Sequence, residues 1–413
     1  MKKRLLFVCC LLPLQLWAQK LTLEACKQSA EINYPAVSQY HLMELTRDFT
    51  LENATKAWLP QVSVSLSGVA FTDLLNVSGV MKQMGGETKN TLASGMVMLN
   101  QNVYDGGKIH AQRLIVRAQT EVQRQQLAVS LYDLNRRVEQ LYFCVLLLDA
   151  QIKHTLLLID DLKLSRQTIE AMMRGGVANP TDVDAVAVEQ ENALQLLDAQ
   201  QASRQSFLKM LGLFIHQSLD KDVQLQLPVA LDLKSEEVKR PELSYFQARE
   251  NQLDAERKRL NASLLPTLKA FGMGVYHTKV TSLIHNGMLA GGLTLSWNVG
   301  ALYTRKNDLQ KLMVQQQQIE SERATFLFNN HLEVETAEGN IAMLKKQLLR
   351  DDEIVRLREQ IRGKSEKKVR LGTESINEML RDINAVSKAH QQRSTHEIQL
   401  LEALYALKNT INQ

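Results

Sequence analysis

From Leu127 to Met173 apolar residues recur at alternating steps of four and three: Leu127, Leu131, Leu134, Val138, Leu141, Val145, Leu148, Ile152, Ile159, Leu162, Ile169 and Met173. Only Thr155 and Arg166 interrupt the series. Such a seam is the pattern of a coiled coil. Extended back to about Gly107, the pattern predicts one helix of roughly 67 residues, about 100 Å long at 1.5 Å per residue. A helix in water owes most of its stability to packing along its apolar face, so other segments must cover this one over its whole length.

The bulk properties narrow the setting. Lys2, Lys3 and Arg4 precede an apolar stretch from Leu5 to Trp17 and the small residue Ala18, the layout of a secretory signal peptide over residues 1–18. Cys9 and Cys26 lack the small preceding residues that lipid attachment requires, so no lipid anchor is expected. Cys9 and Cys10 leave with the signal, and Cys26 and Cys144 remain; two distant cysteines do not make a disulfide framework, although a single bridge stays open. The net charge of +4 falls to about +1 without the three basic residues of the signal, which argues against nucleic acid as a partner. Beyond the signal no apolar run of roughly 20 residues suggests a membrane helix.

Taken in order, the chain repeats itself. A short helix near residues 21–30 has Thr22 as its N-cap, and a second runs from Pro35 to Leu59 with Pro60 just past its end. Val62, Val64 and Leu66 then alternate with Ser63, Ser65 and Ser67, as in a strand with one apolar and one polar face. A polar segment, Thr72 to Thr91, leads to a second strand over about Gly95 to Tyr104, and Asp105-Gly106-Gly107 opens the long helix. After the turn Arg174-Gly175-Gly176-Val177 a helix returns from Pro180 to about Leu213. From Pro241 the scheme starts again: a helix to Leu265-Pro266, strands at Thr267 to Tyr276 and Leu289 to Val299, a long helix from Ala301 to Arg370, a turn at Gly372, and a return helix to Thr410. Pro241 and Pro266 are as far apart as Pro35 and Pro60. The organisation is therefore signal 1–18, first repeat 19–219, linker 220–240 and second repeat 241–413. By length, the first return helix and the helix after Pro241 together match the long helix.

Four strands of about ten residues suit a bilayer crossing, but four cannot close a barrel, and an open edge in lipid leaves backbone groups unpaired. Three copies would supply twelve strands. Periodicity alone is equally compatible with a small soluble sheet capping a helical rod.

The opening Leu21-Thr22-Leu23-Glu24-Ala25 with Asn33-Tyr34-Pro35, the Arg240-Pro241-Glu242-Leu243 with Leu265-Pro266, the Tyr104-Asp105-Gly106-Gly107 after a strand, and the two glycine turns together resemble the TolC family of outer-membrane efflux channels. The resemblance spans nearly the whole chain, in order and twice over. It implies a mostly α fold with a membrane β-barrel part: a homotrimer whose long coiled-coil helices form a tunnel and whose four strands per protomer contribute to a twelve-stranded barrel in outer-membrane lipid. It further implies a passive export conduit of a tripartite efflux or type I secretion system, in the outer membrane of a Gram-negative bacterium and extending into the periplasm. A periplasmic adaptor (membrane fusion protein) would dock on it, and an inner-membrane transporter would serve it.

The resemblance assigns the turns Gly175, Gly176 and Val177, and Leu371, Gly372 and Thr373, to adaptor docking. Read as residues, the same glycines supply the left-handed geometry that ends a helix. Asp182 stands three residues after Asn179, and Ser375 to Glu378 is a capping box, so both acids have a local role at a helix N-terminus. By resemblance Glu378 and the position three residues later face the tunnel at its periplasmic constriction, where family members carry aspartates. Here the later position is Arg381, with Asp382 adjacent, which leaves open whether a ring at this gate is acidic or paired. Lys364, Lys367, Lys368 and Arg370 read as a solvated face complementing a helix C-terminus.

No catalytic motif is present. The histidines are scattered, His277 and His285 flank one polar loop, and neither a nucleophile motif nor a phosphate-cradling glycine loop occurs. The chain reads as a non-enzyme without a cofactor. Two rivals are a periplasmic adaptor, which needs one helical hairpin rather than two in tandem, and a structural coiled-coil envelope protein, which leaves the four strands unexplained.

Overall fold

The computed structural model describes residues 21–70, 91–231, 238–277 and 287–411. The expected signal segment, most of the polar segment after the first strand, His285 and part of the linker lie outside the described residues. The elements are α1 (Leu23–Asn33), a 3-10 turn (Pro35–Val37), α2 (Ser38–Lys56), β1 (Gln61–Ala70), β2 (Thr91–Tyr104), α3 (Lys108–Arg174), α4 (Pro180–Ile215), α5 (Pro241–Ser263), β3 (Thr267–His277), β4 (Gly287–Ser296), α6 (Ala301–Arg370) and α7 (Ile376–Ile411). Helix α3 has 67 residues and α6 has 70. The expected order of elements and both long helices are present.

The chain divides into two compact units, and each takes segments from both sequence repeats. One comprises Met1–Val37, Ser130–Arg240 and Asn329–Gln413; the other comprises Ser38–Val129 and Pro241–Phe328.

In the first unit, Leu134, Val138, Tyr142, Phe143 and Val145 of α3 pack with Leu23, Cys26 and Ala30 of α1, Leu208, Leu211 and Ile215 of α4, and Leu401 and Tyr405 of α7. Each fully buried aliphatic or aromatic side chain in such a core contributes about 1.5–3 kcal/mol. The Tyr142 hydroxyl is shared between the carbonyls of Leu21 and Gln226, at 2.7 and 2.6 Å. It thereby ties together the short parallel pairing of Leu21 with Leu225. Glu139, nearly buried, is held by Lys27 and by the Asn409 side-chain amide. Cys26 and Cys144 are free. Burial pushes the Cys26 thiol up to about 12 and also raises that of the half-buried Cys144. Contrary to the expectation from apolar run lengths, one stretch of α3 is long and apolar enough to cross a membrane by length and composition. Within the single chain 28% of that stretch is buried, and Tyr142, Phe143 and Val145 of this helix are core residues.

The seam residues of α3 do not fare alike. Leu134, Val138, Val145, Leu162 and Ile169 are buried, as is the polar Thr155, whereas Arg166 is exposed and pairs with Glu170. Thr155 Oγ1 lies 2.9 Å from Gln200 Oε1 and accepts from Gln391 Nε2 at 3.3 Å. The two polar interruptions are thus a buried hydrogen-bonded layer and a solvated helix face.

The second unit holds the sheet. Its order is β1-β2-β3-β4, every pair antiparallel. Strand β2 begins at Thr91, earlier than the alternation suggested, because it pairs with β1 along the whole of that strand, from Gln61 opposite Asn100 to Ala70 opposite Thr91. Strand β4 ends at Ser296, short of the expected Val299. There the Trp297 indole donates to the Leu264 carbonyl at 2.9 Å, and the chain turns with Val299 N–H bonding the Trp297 carbonyl at 3.2 Å. The two strand-to-helix switches, alike in sequence, differ in geometry. Asp105 caps α3 by accepting from the amides of Gly107 at 2.8 Å and Ile109 at 2.6 Å, with Gly106 and Gly107 at φ of 67° and 80°. A side chain at Gly106 would come within 2.9 Å of Leu265 Cβ, so both space and backbone require glycine. Gly300, which takes the place of Gly107 in the second repeat, has no positive φ.

Candidate functional site

Two places carry the sequence-derived assignments: the turns in the first unit and the faces of the sheet in the second.

At the first turn the amides of Gly175, Gly176 and Val177 bond back to the carbonyls of Ala171, Met173 and Met172 at 3.1, 3.0 and 2.9 Å. At the second, Leu371, Gly372 and Thr373 bond to Lys367, Val369 and Lys368 at 3.2, 2.9 and 3.0 Å. Gly176 and Gly372 have φ of 74° and 71°, and nothing lies within 4 Å of where their side chains would be. Backbone conformation, rather than crowding, therefore selects glycine at both, as in a left-handed helix cap. The turns present large apolar tips to solvent: Val177 is 61% exposed and Leu371 77%.

Both return helices start on their acids. The Asp182 carboxylate accepts from the Asn179 amide at 2.9 Å. Ser375 and Glu378 form the reciprocal box, each backbone amide bonding the other's side chain at 3.2 Å. Behind the caps, Leu162, Ile169, Ala178, Val186, Val369, Ile376, Met379, Leu380 and Ile383 form one core, which fixes both hairpin ends together. With Met379, Leu380 and Ile383 inward, Glu378 and Arg381 are left exposed on the other side of α7, and Asp382 is half-buried. The box is thus in place, and Glu378 and Arg381 share an open helix face.

Several neighbours of the turns were not legible in the sequence. Arg362 donates to Asp161 at 2.6 Å and to Glu366 at 2.9 Å, and the hydrogen bond to Asp161 raises its pKa further. Buried Ser365 donates to Glu374 at 2.9 Å, whose other oxygen is 3.4 Å from Lys368. The i,i+4 spacing announces Arg362 with Glu366; the partner Asp161 lies on another helix and leaves no local signal. Farther up, the rings of His154 and His390 stack at 5.7 Å, with Ser394 at 2.8 Å from one and Glu359 at 3.0 Å from the other. Lys364, Lys367, Lys368 and Arg370 are all exposed.

The register sorts the sheet into two faces. Val62, Val64 and Leu66 stand opposite Leu99, Val97 and Gly95, and these stand opposite Gly272, Gly274 and Tyr276. Leu289, Leu293 and Leu295 complete that face. It is mostly apolar and open, with Leu66 85% and Leu289 90% exposed; the polar Gln101 shares it in the row of Ala270 and Leu293. The opposite face carries Ser63, Ser65, Ser67, Asn100, Lys269, Thr294 and Ser296 among larger residues. Not every polar group there is available to water: Asn102 donates to the Ala57 carbonyl at 2.8 Å, closing the C-terminal end of α2. His277, at the end of β3, pairs across with Ser94. Among the described residues no three His, Cys, Asp or Glu side chains gather as a metal site.

No protein-family model matches the sequence, and no curated protein matches it. Solved structures do. The outer membrane protein VceC of Vibrio cholerae is similar over 94% of this chain and 95% of its own, at TM-score 0.70 and 12% identity. The MtrE outer membrane channel of Neisseria gonorrhoeae, in its open state, is similar over 94% and 88% at TM-score 0.69 and 14% identity. The CmeC outer membrane channel of Campylobacter jejuni is similar over 94% and 85% at TM-score 0.67 and 10% identity. The fold of this chain is the fold of those proteins.

Proposed function

We propose that this chain is an outer-membrane factor of the TolC family, the passive exit duct of a tripartite efflux or type I secretion system. It acts as a homotrimer in the outer membrane of a Gram-negative bacterium and reaches into the periplasm. The observation that carries this reading is the sheet: four antiparallel strands with one open face of mainly valine, leucine and glycine, on which Gln101 is the polar member near one end. In lipid the outer edges of β1 and β4 must pair, since no water satisfies their backbone groups. Three copies make twelve strands, an even number within the range of outer-membrane barrels. A further sign of assembly is α2, which buries none of its residues in the single chain and leaves Leu42, Leu45 and Phe49 exposed at helical spacing. Likeness over nearly the full length to three bacterial outer-membrane proteins supports the same reading.

Within it, the turns at Gly175, Gly176 and Val177 and at Leu371, Gly372 and Thr373 are the docking tips for a periplasmic adaptor, which links the duct to an inner-membrane transporter. Asp182, Glu378, Arg381 and Asp382 belong to the periplasmic gate. Glu378 is held by its cap and the Arg381 guanidinium is free to project, so the gate carries mixed charge rather than a ring of carboxylates. Transport needs no chemistry on the cargo, and no residue is assigned a catalytic role. The repeats 19–219 and 241–413, with the linker 220–240, are the two halves from which each protomer is built.

The test is direct. Protein purified in detergent should have the mass of a trimer and open discrete conductance steps in planar bilayers. A soluble monomer that is stable without detergent and opens no channel would return the chain to the adaptor or coiled-coil class.

A further inference from the structure

All four methionines of the described strands lie on the face of the sheet that turns away from its apolar side. Met98 stands directly opposite Met273, with Ser63 and Ala290 flanking them in the same row. Met96 stands opposite Val275, which stands opposite Met288, with Ser65 at the row's end. The two rows adjoin, so the four thioethers fall on three neighbouring strands within one patch. Directly opposed residues have Cβ atoms about 4.5–5.5 Å apart, and residues two apart on one strand are about 7 Å apart. A methionine side chain has three rotatable bonds, enough for neighbouring sulfurs in such a patch to converge.

The composition of these rows is unusual for a wall that faces water. The row on one side is polar, with Ser67, Ser94 and His277, and the row on the other is mixed, with Gln61 and Asn100 followed by Phe271 and Gly292. Barrel interiors are ordinarily polar, and an apolar side chain meant for lipid belongs on the other face, where this sheet has valine and leucine but no methionine. Neither methionine row carries a carboxylate, so nothing in them suits a hard cation such as magnesium or calcium. Thioether sulfur is a soft donor that selects soft cations, copper(I) above all among biological metals.

We propose that this band is a transit site for a soft monovalent cation of the silver(I) or copper(I) class, held by thioethers of Met96, Met98, Met273 and Met288 within one protomer. The proposal rests on the reading of the sheet as the inner wall of a barrel, and names one cargo class for that duct. Ligation by neutral thioethers, with no charged group in the same rows, suits a site from which the ion can leave again.

The experiment compares the wild-type protein in detergent with the variant Met96→Leu, Met98→Leu, Met273→Leu and Met288→Leu. Leucine conserves volume and apolarity, so the barrel should persist. Silver(I), as the nitrate in chloride-free buffer, is the probe, read by equilibrium dialysis with metal quantification and by single-channel current. The expected result is saturable silver uptake by the wild type exceeding that of the variant by at least one ion per protomer, with silver lowering the current through the wild type alone. Cys26 and Cys144 are common to both proteins and cancel in the difference. Equal uptake and equal current responses would overturn the proposal and leave the band as apolar lining only. A wild-type protein that opens no channel even without silver would sink the conduit reading, while its uptake relative to the variant would still decide the thioether site.

Discussion

Replacing Val97 by arginine is the sharpest probe of which side of the sheet meets lipid. Val97 is the seventh residue of the 14-residue β2, and its row runs Val64, Val97, Gly274, Leu289 across all four strands. Strands of this length, tilted as in outer-membrane barrels, put that row near the bilayer midplane. An arginine on the lipid face there costs about 2–4 kcal/mol. In the proposed trimer three such charges fall in one barrel, or about 6–12 kcal/mol, comparable to the whole folding stability of an ordinary domain. Ser65→Arg is the control: it lies on β1 one position from Val64 but on the opposite face, where an arginine meets water at little cost. The assay is the fraction of each protein recovered from outer membranes as a trimer that resists detergent and urea. Val97→Arg should be largely lost or unfold at clearly lower urea, and Ser65→Arg should match the wild type. Equal behaviour of the two variants, or greater loss for Ser65→Arg, would refute the assignment of the faces.

Four further outcomes follow from particular contacts. Tyr142→Phe removes the proton shared by the carbonyls of Leu21 and Gln226; it should cost about 1–3 kcal/mol, read as lost hydrogen-exchange protection around residues 21–26. Gly372→Ala meets no neighbouring atom but must hold φ near 71°, so it should destabilise the tip by about 1–2 kcal/mol, and Gly372→Asn by less, seen as local exchange at the turn. His154 is held below its ordinary value of 6.5 by burial first, then by His390, Lys153 and Arg393. Its neutral form is therefore the one the fold prefers, and the unfolded chain takes up a proton at higher pH than the folded one. Stability should be intact above pH 6.5 and fall as pH drops towards the folded pKa, and His154→Gln should flatten that slope in urea titrations at pH 7 and pH 5. Arg381→Asp would make the proposed gate acidic, and the reversal potential of the channel in a salt gradient should shift towards cations.

Much of the architecture is local and therefore written in the chain. Heptad spacing announced α3 because a helix of this length must carry a continuous apolar stripe. The capping box at Ser375 and Glu378, the Thr22 cap and the two glycine turns were legible because their partners lie within five residues. Alternation exposed the strands, but their ends were set by partners elsewhere: β1 lengthened β2, and the Trp297 contact with Leu264 shortened β4.

What the sequence determined by itself is the set of elements, their duplication and the chemistry of the turns, because hydrogen bonds and periodicities within a few residues decide those. What only the tertiary structure decided is which residues meet. Thr155 and Arg166 looked like equivalent flaws in one seam, yet one is buried against Gln200 and Gln391 and the other is solvated. Arg362 finds Asp161 on a helix 201 residues away in sequence, and four methionines from three strands fall into two adjoining rows. Register and packing are properties of pairs of segments, and no single segment carries them.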